Sequence, residues 1–439
     1  MIDAPFSMAR RSPSAQRGLT LIELMVALVI GLIFSLSVLL VQASLSKQNL
    51  QLSDASQRDT QARAALDLMT RDLTNAGFML GGVQTSCTVT LAYDSGIASN
   101  QNFFEYPVSA ASQPTTLPTS SSLGGSPNAS TYPPAGSPNV SQMVVIDSAT
   151  SALLAPSSGG ATTFVVQNST TKAASGQGAL KSSQLPLSTT TGINPGDTAL
   201  LRMPLNGKMV CFRVPISDVG PGGSPSSTYV DSKSTQLFPS NAYADSGFQQ
   251  QLVAAGILPS GGQLSNANLI QSRLTDLGPA TTSVVQAVVY YVADFTNLAS
   301  ASGGTLPMLM RATINAANDQ LVSGPTPVAA GVVSLQTLFG VDETNSGAVT
   351  NYLSWNDVVN GGYGDDVRSV LFAIVTRTLH GDPNPNYAAP PSIPVPSPFD
   401  SGGPGPDKFT AYKPTSAEQQ DHFSVIESEV AIRNQLWPH

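Results

Sequence analysis

Apolar and polar residues alternate along this chain in three regimes. From Leu19 to Val41 nearly every position is apolar; the exceptions are small residues, hydroxyls and one carboxylate, Glu23. About 23 residues at 1.5 Å each make a helix of roughly 34 Å, enough to cross a hydrocarbon core of about 30 Å. Further on, Ala62, Leu66, Met69, Leu73 and Ala76 recur at spacings of four and three, one face of an amphipathic helix. Asp54–Arg58, Asp59–Arg63, Arg63–Asp67 and Asp67–Arg71 stand at i,i+4 and predict ion pairs along its surface. No proline falls between Leu19 and Gly81, and Gly77 offers a C-terminal stop. One helix is therefore predicted from Leu19 to about Asn75, membrane span first and amphipathic half second. Gly31 is a mild weak point within it.

Beyond Gly81 the period changes to two. Strands rich in valine, isoleucine and aromatics are predicted at 87–93, 142–147, 162–167, 197–203, 208–214, 284–293, 306–314, 329–342, 367–378 and 423–434. Between them, 108–140, 169–190, 215–240 and 380–410 are rich in Ser, Pro and Gly and read as loops without a core of their own. The domain reading is a short leader at 1–18, a spine helix at 19–80 and a β-rich head at 81–439. The fold class is α+β, a long helix packed on a mostly antiparallel, loop-rich sheet.

Charge orients the span. Arg10, Arg11 and Arg17 precede it and the first basic residue after it is Lys47, so residues 1–18 are expected in the cytoplasm and the head across the membrane. The formal charge is −8, and only 11% of residues are charged. An acidic body argues against non-specific nucleic-acid binding, which needs a basic face. The two cysteines, Cys87 and Cys211, then lie in an oxidising compartment. There an even count predicts one disulfide rather than two free thiols.

Glu23 asks for a reason, because a carboxylate within a span costs a few kcal/mol and usually marks function. A secretory signal ending at Ala43 gives it none, and the apolar run is too long for one. "RGLTLIELMVALVIGL" (residues 17–32) resembles the prepilin leader of type IV pilins and of type II secretion pseudopilins, with Leu19 where that family more often has Phe. The resemblance implies cleavage between Gly18 and Leu19 by a prepilin peptidase and methylation of the new amine on Leu19. It also implies that Glu23 pairs with the N-terminus of a neighbouring subunit. An opposite charge at contact distance offsets the cost of burying a carboxylate.

The C-terminal third carries a second set of motifs. "VVYYVADF", "LPMLMRATI", "VVSLQTLFGVD", "DDVRSVLFAIVTRT" and "SEVAIRN" are similar in order and spacing to the PilW family of minor pilins. The matching positions are Tyr290, Tyr291, Arg311, Val333, Ser334, Leu335, Phe339, Gly340, Val341, Asp342, Val367, Arg368, Ile432, Arg433 and Asn434. The stretch 94–280 does not align. The resemblance implies a type IV pilin-like fold and a place at or near the pilus tip. It implies as partners other minor pilins, the major pilin and a large tip adhesin, with a route through the inner membrane to the fibre. The competing readings are a type II secretion pseudopilin of the J type and a ligand-binding or DNA-uptake pilin.

Candidate catalysis is sparse. "DETNSG" (342–347) reads as a hairpin turn, with a calcium loop the lesser alternative because carboxylates are few. His380, His422 and His439 are scattered in loop-like or terminal contexts, and no phosphate loop, nucleophile elbow or metal-spaced pair is present. The expectation is a structural protein without cofactor, metal or enzymatic activity.

Overall fold

The computed structural model describes residues 20–77, 89–92, 107–112, 129–133, 137–149, 163–165, 184–220, 229–231, 252–253, 256–260, 271–279, 285–295, 306–315, 321–344, 346–382, 384–397 and 408–432. The predicted helix is one element, α1 (Leu21–Thr74). The chain divides into two compact units, Met1–Ser53 and Asp54–His439. In the first, the apolar side chains are exposed, Leu21 at 78% and Phe34 at 70%. The hydroxyl of Ser37 donates to the carbonyl of Ile33 (2.9 Å), so this polar group is satisfied inside the helix.

In the second unit Ala62, Leu66, Met69 and Leu73 are buried, as the four-and-three spacing requires, and Ala76 just beyond the helix is buried too. Gly77 ends the helix at φ +73°, and its N–H donates to the carbonyl of Asp147 (2.7 Å). The expected surface ladder is replaced by other pairings, some of which leave the helix. Asp54 meets His380 (2.6 Å), and Arg58 meets Asp59 and the carbonyl of His422.

Two sheets share the core beneath this stripe. The larger runs β14 (Leu321–Ala330), β13 (Pro307–Asn315), β12 (Val285–Phe295), β4 (Gln142–Ala149), β2 (Val108–Ser112), with β3 (Ala129–Thr131) paired to β12. The second runs β16 (Asn351–Leu353), β15 (Val332–Val341), β17 (Val367–Arg377), β18 (Phe423–Ala431). All the register pairs in both are antiparallel. Alternation sorts β12 cleanly. Val288, Tyr290 and Val292 join the helix-side core, whereas Val289, Tyr291 and Ala293 join a separate cluster.

The expected strand 329–342 is two strands. Gly331, at φ +75°, ends β14 and opens β15, moving the chain from one sheet to the other. A Cβ there would collide with the carbonyl of Arg377. A third sheet, β1 (Val89–Ala92), β8 (Lys208–Pro215), β7 (Asp197–Leu205), β11 (Arg273–Pro279), β5 (Thr163–Val165), packs with a small one, β6 (Gln184–Pro186), β10 (Tyr229–Asp231), β9 (Asp218–Val219), around a core of its own.

Several stretches expected to be loops therefore contribute structure. β2, β3, β6, β9 and β10 are short strands drawn from them. Within 380–410, Ala389, Ile393, Val395 and Phe409 are buried, and Ile393 bridges Tyr412. A Ser/Pro-rich composition does not stop individual apolar side chains from completing a core that other elements supply.

Candidate assembly site

Thr20 and Glu23 close the start of α1. The Thr20 N–H and hydroxyl both donate to Glu23 Oε2 (3.2 Å each), and the Glu23 N–H donates to Thr20 Oγ1 (3.3 Å). This is a reciprocal cap, which satisfies helix donors that have no carbonyl to meet and sets a negative charge at the positive end of the helix dipole. The Thr-x-x-Glu spacing carries that signal in the sequence, and an argument confined to membrane burial passes over it. Only Oε2 is engaged; no described residue donates to Oε1. Gly18 and Leu19 lie outside the described residues.

The motif residues of the C-terminal third meet one another in space. Tyr290 and Arg311 are register partners on β12 and β13. The Tyr290 hydroxyl donates to Asp72 Oδ2 at 2.6 Å, Arg311 Nε reaches the same oxygen at 2.8 Å, and Arg311 Nε lies 3.2 Å from the tyrosine oxygen. One carboxylate of α1 is thus clamped by two strands of the head. Burial, reinforced by the Asp72 carboxylate, lifts the Tyr290 hydroxyl far above its usual range and keeps it a donor. Asp342 is reached at 3.9 Å by Arg368, whose carbonyl accepts from the N–H of Ile432 (2.9 Å). Gly340 lies opposite Ser369, whose hydroxyl a Cβ at 340 would strike. Tyr291 faces the other cluster, and Arg433 and Asn434 lie outside the described residues.

The turn after β15 is held by Asp342. Its Oδ1 accepts from the Ser346 N–H (2.8 Å) and hydroxyl (3.1 Å), and its Oδ2 from the Gly347 N–H (2.6 Å). Burial alone would raise this carboxyl, but those donors and Arg368 outweigh it and hold the carboxyl below its usual range. Oxygens turned to N–H and O–H donors favour the hairpin reading. Among the described residues no group of three or more His, Cys, Asp or Glu converges on a common point. His380 pairs with Asp54 and His422 with Asp382 (2.8 Å), and His439 lies outside the described residues.

A buried charged cluster escapes sequence reasoning. Arg377 Nη1 lies 2.7 Å from Asp421 and 3.7 Å from Glu418. Glu418 also accepts from the hydroxyls of Tyr132 (2.6 Å) and Tyr412 (2.9 Å) and from the N–H of Thr415 (2.8 Å). It joins segments from three parts of the chain, and the pattern of any one of them carries no trace of the others. Cys211 is fully buried on β8 and is not a free thiol; Cys87 lies outside the described residues.

Comparison with known families agrees with this geometry at both ends of the chain. Residues 13–39 match the family model "Prokaryotic N-terminal methylation motif", which contains Gly18, Leu19, Thr20 and Glu23. Residues 289–434 match "Type IV Pilus-assembly protein W". This is a PilW-like type IV pilin. No curated protein and no solved structure matches the chain. The PilW-like match takes in Tyr290, Arg311, Asp342, Arg368, Arg377 and Glu418, so the residues that clamp the helix and hold the last sheet fall inside it. The two matches support a type IV pilus-related minor pilin, and the PilW family is a structural, non-enzymatic kind of protein. A prepilin-type start implies processing by prepilin peptidase and involvement with other pilus components. Together with α1, the one described helix long and apolar enough to cross a membrane, it is consistent with membrane anchoring.

Proposed function

We propose that this PilW-like protein is a minor pilin of a tip complex that initiates or supports assembly of a type IV pilus. The chain is inserted in the inner membrane with its head in the periplasm. It is cut between Gly18 and Leu19, methylated on Leu19, and packed into the filament through α1. Other minor pilins, the major pilin and a large tip adhesin are its partners. The observation that carries the reading is the start of α1: a carboxylate capped through Oε2, with Oε1 meeting no donor among the described residues, at the head of an exposed apolar helix. In this reading a neighbour's ammonium meets Oε1 and leaves the Oε2 cap in place. The match to a pilus-assembly family supports the pilus over the secretion-system reading. A Cys87–Cys211 disulfide belongs to the proposal. β1 begins two residues after Cys87 and pairs with the strand that carries Cys211, Thr90 opposite Cys211.

The test separates cap from charge. Glu23→Gln keeps a capping side chain and removes the charge, whereas Thr20→Ala removes the cap partner and keeps it. Leaving a neighbour's ammonium buried without a partner costs about 3–5 kcal/mol, more than a hundredfold in an assembly equilibrium. Glu23→Gln should therefore give mature protein in the membrane, beginning at Leu19 by mass spectrometry, with strongly reduced filament entry. Thr20→Ala should assemble nearly normally. Normal piliation and co-purification in Glu23→Gln would reduce Glu23 to a helix cap.

A further inference from the structure

The third and fourth sheets are not woven into the rest of the head. Among the described residues, each strand of β1 and β5–β11 finds its sheet partners within that set. Their core, built on Leu201, Met203, Phe212 and Leu274, shares no residue with the core beneath α1. Side-chain hydrogen bonds tie residues of 184–279 to one another across the stretch. The bonds of Thr190 to Gly220, Asn206 to Ile257 and Arg202 to Thr275 are examples.

The chain connections point the same way. β4 ends at Ala149 and β12 begins at Val285, and these two residues are register partners on neighbouring antiparallel strands. The chain leaves the larger sheet at Ala149 and returns beside its point of departure. A short turn at that place would restore a plain β-hairpin. Matching ends and a private core are what a domain inserted into a host fold must have. The stretch also lies outside both family matches, 13–39 and 289–434.

We infer that residues 150–284, with β1 added at the edge, are a guest module carried by a complete pilin body, folding on its own core and dispensable for entry into the filament. The second half of this inference rests on the pilus reading above. Assembly contacts then belong to α1 and the two sheets packed on it, and the module is free to meet something other than a filament neighbour.

The experiment replaces residues 150–284 by Asn-Gly in the full chain, with Cys87→Ser so that no thiol is stranded. The shortened protein should be processed at Leu19 and co-purify with the other pilins at the parent's level. If it is mature and stable but absent from the filament fraction while the parent is present, the module is part of the assembly surface and the inference fails. If the parent itself is absent from that fraction, it is the pilus reading that fails. A second variant guards against misfolding of the shortened chain. Phe212→Asp in the full chain should expose amides of β7, β8 and β11 to exchange. Protection in β15 and β17 should change by less than about twofold. Loss of protection in β15 and β17 as well would show one cooperative core and overturn the inference.

Discussion

The body of the head and its inserted sheets are both β-rich, yet they are held together by different means. In the body, polar bonds join residues far apart in sequence: Asp72 to Arg311, Tyr132 to Glu418, Asn139 to Lys413. In the insert they mostly join near neighbours, Asn194 to Asp197 and Gly278 to Asp276, around an apolar core. Closing long loops costs entropy that apolar burial must repay, and burial alone is indifferent to register. Charged and hydroxyl groups are not indifferent, because a one-residue slip leaves each of them buried without a partner. The body gathers a helix, two sheets and a proline-rich segment from all along the chain. We read its charged clusters as the devices that fix which segment meets which.

The largest effect that would sharpen this contrast is expected at Arg377. Arg377→Met removes the cation between Glu418 and Asp421, both nearly inaccessible at 2% and 5% exposure. Breaking such a buried group typically costs about 3–5 kcal/mol. Burial already holds the Asp421 carboxyl above its usual range against the opposing pull of Arg377, so proton uptake would limit the loss. Trp355, tilted 55° against Phe339 with ring centres 4.9 Å apart, reports on the body. Its denaturant midpoint should fall sharply while exchange in β7 and β8 stays at the parent's level. An unchanged midpoint would strip the cluster of its structural role.

A smaller loss is expected at the helix clamp. Asp72→Asn keeps the shape and weakens two bonds to a carboxylate, both charge-assisted and worth about 1.5–3 kcal/mol each in such settings. Tyr290→Phe removes one of the two and should cost less than Asp72→Asn, because the Arg311 bond survives it. Amide exchange over 62–76 is the readout. Equal effects of the two substitutions would mean that the arginine bond contributes nothing beyond the tyrosine's.

How much of this was legible in the sequence depends on the distance over which each feature is decided. The helix was legible because its period and its glycine stop are local: Leu19 to Asn75 was expected and Leu21–Thr74 is found. β4, β12, β13 and β17 were legible from alternation or apolar runs. β14 was not, because Gly324, Pro325 and Pro327 read as a breaker; the strand tolerates them by lying at the edge of its sheet. The helical ladder of i,i+4 pairs was wrong for the complementary reason. His380 takes Asp54, and Arg58 turns to Asp59 and to the carbonyl of His422; no local rule contains the distant partners. Within the candidate site Glu23 stood out by composition, while its cap required attention to Thr20.

The smallest effect tests the insert by pH. Asp276 and Asp197 are hydrogen-bonded to each other across β11 and β7. Burial, followed by the charge of Asp197, pushes Asp276 up to about 7, although the Gly278 N–H (2.9 Å) pulls it down. Burial likewise raises Asp197 against the Asn194 N–H. The pair therefore keeps a proton in the fold that the unfolded chain, with an ordinary carboxyl value of 3.8, has already released. Where the folded state binds more protons, stability falls as pH rises. The insert should lose stability from about pH 4 to about pH 7 and level off above that range. Asp276→Asn keeps a donor toward Asp197 and removes the titration. At pH 8 the variant should be the more stable insert, and its dependence on pH should flatten. Because Asp276 is partly open to solvent, the gain is expected to be modest. Exchange of β7 and β11 amides, corrected for the intrinsic pH dependence of exchange, measures it, with Trp355 as the internal control for the body. Parent and variant with the same pH slope would show that the two carboxylates do not share a proton, and that the insert owes nothing to this pair.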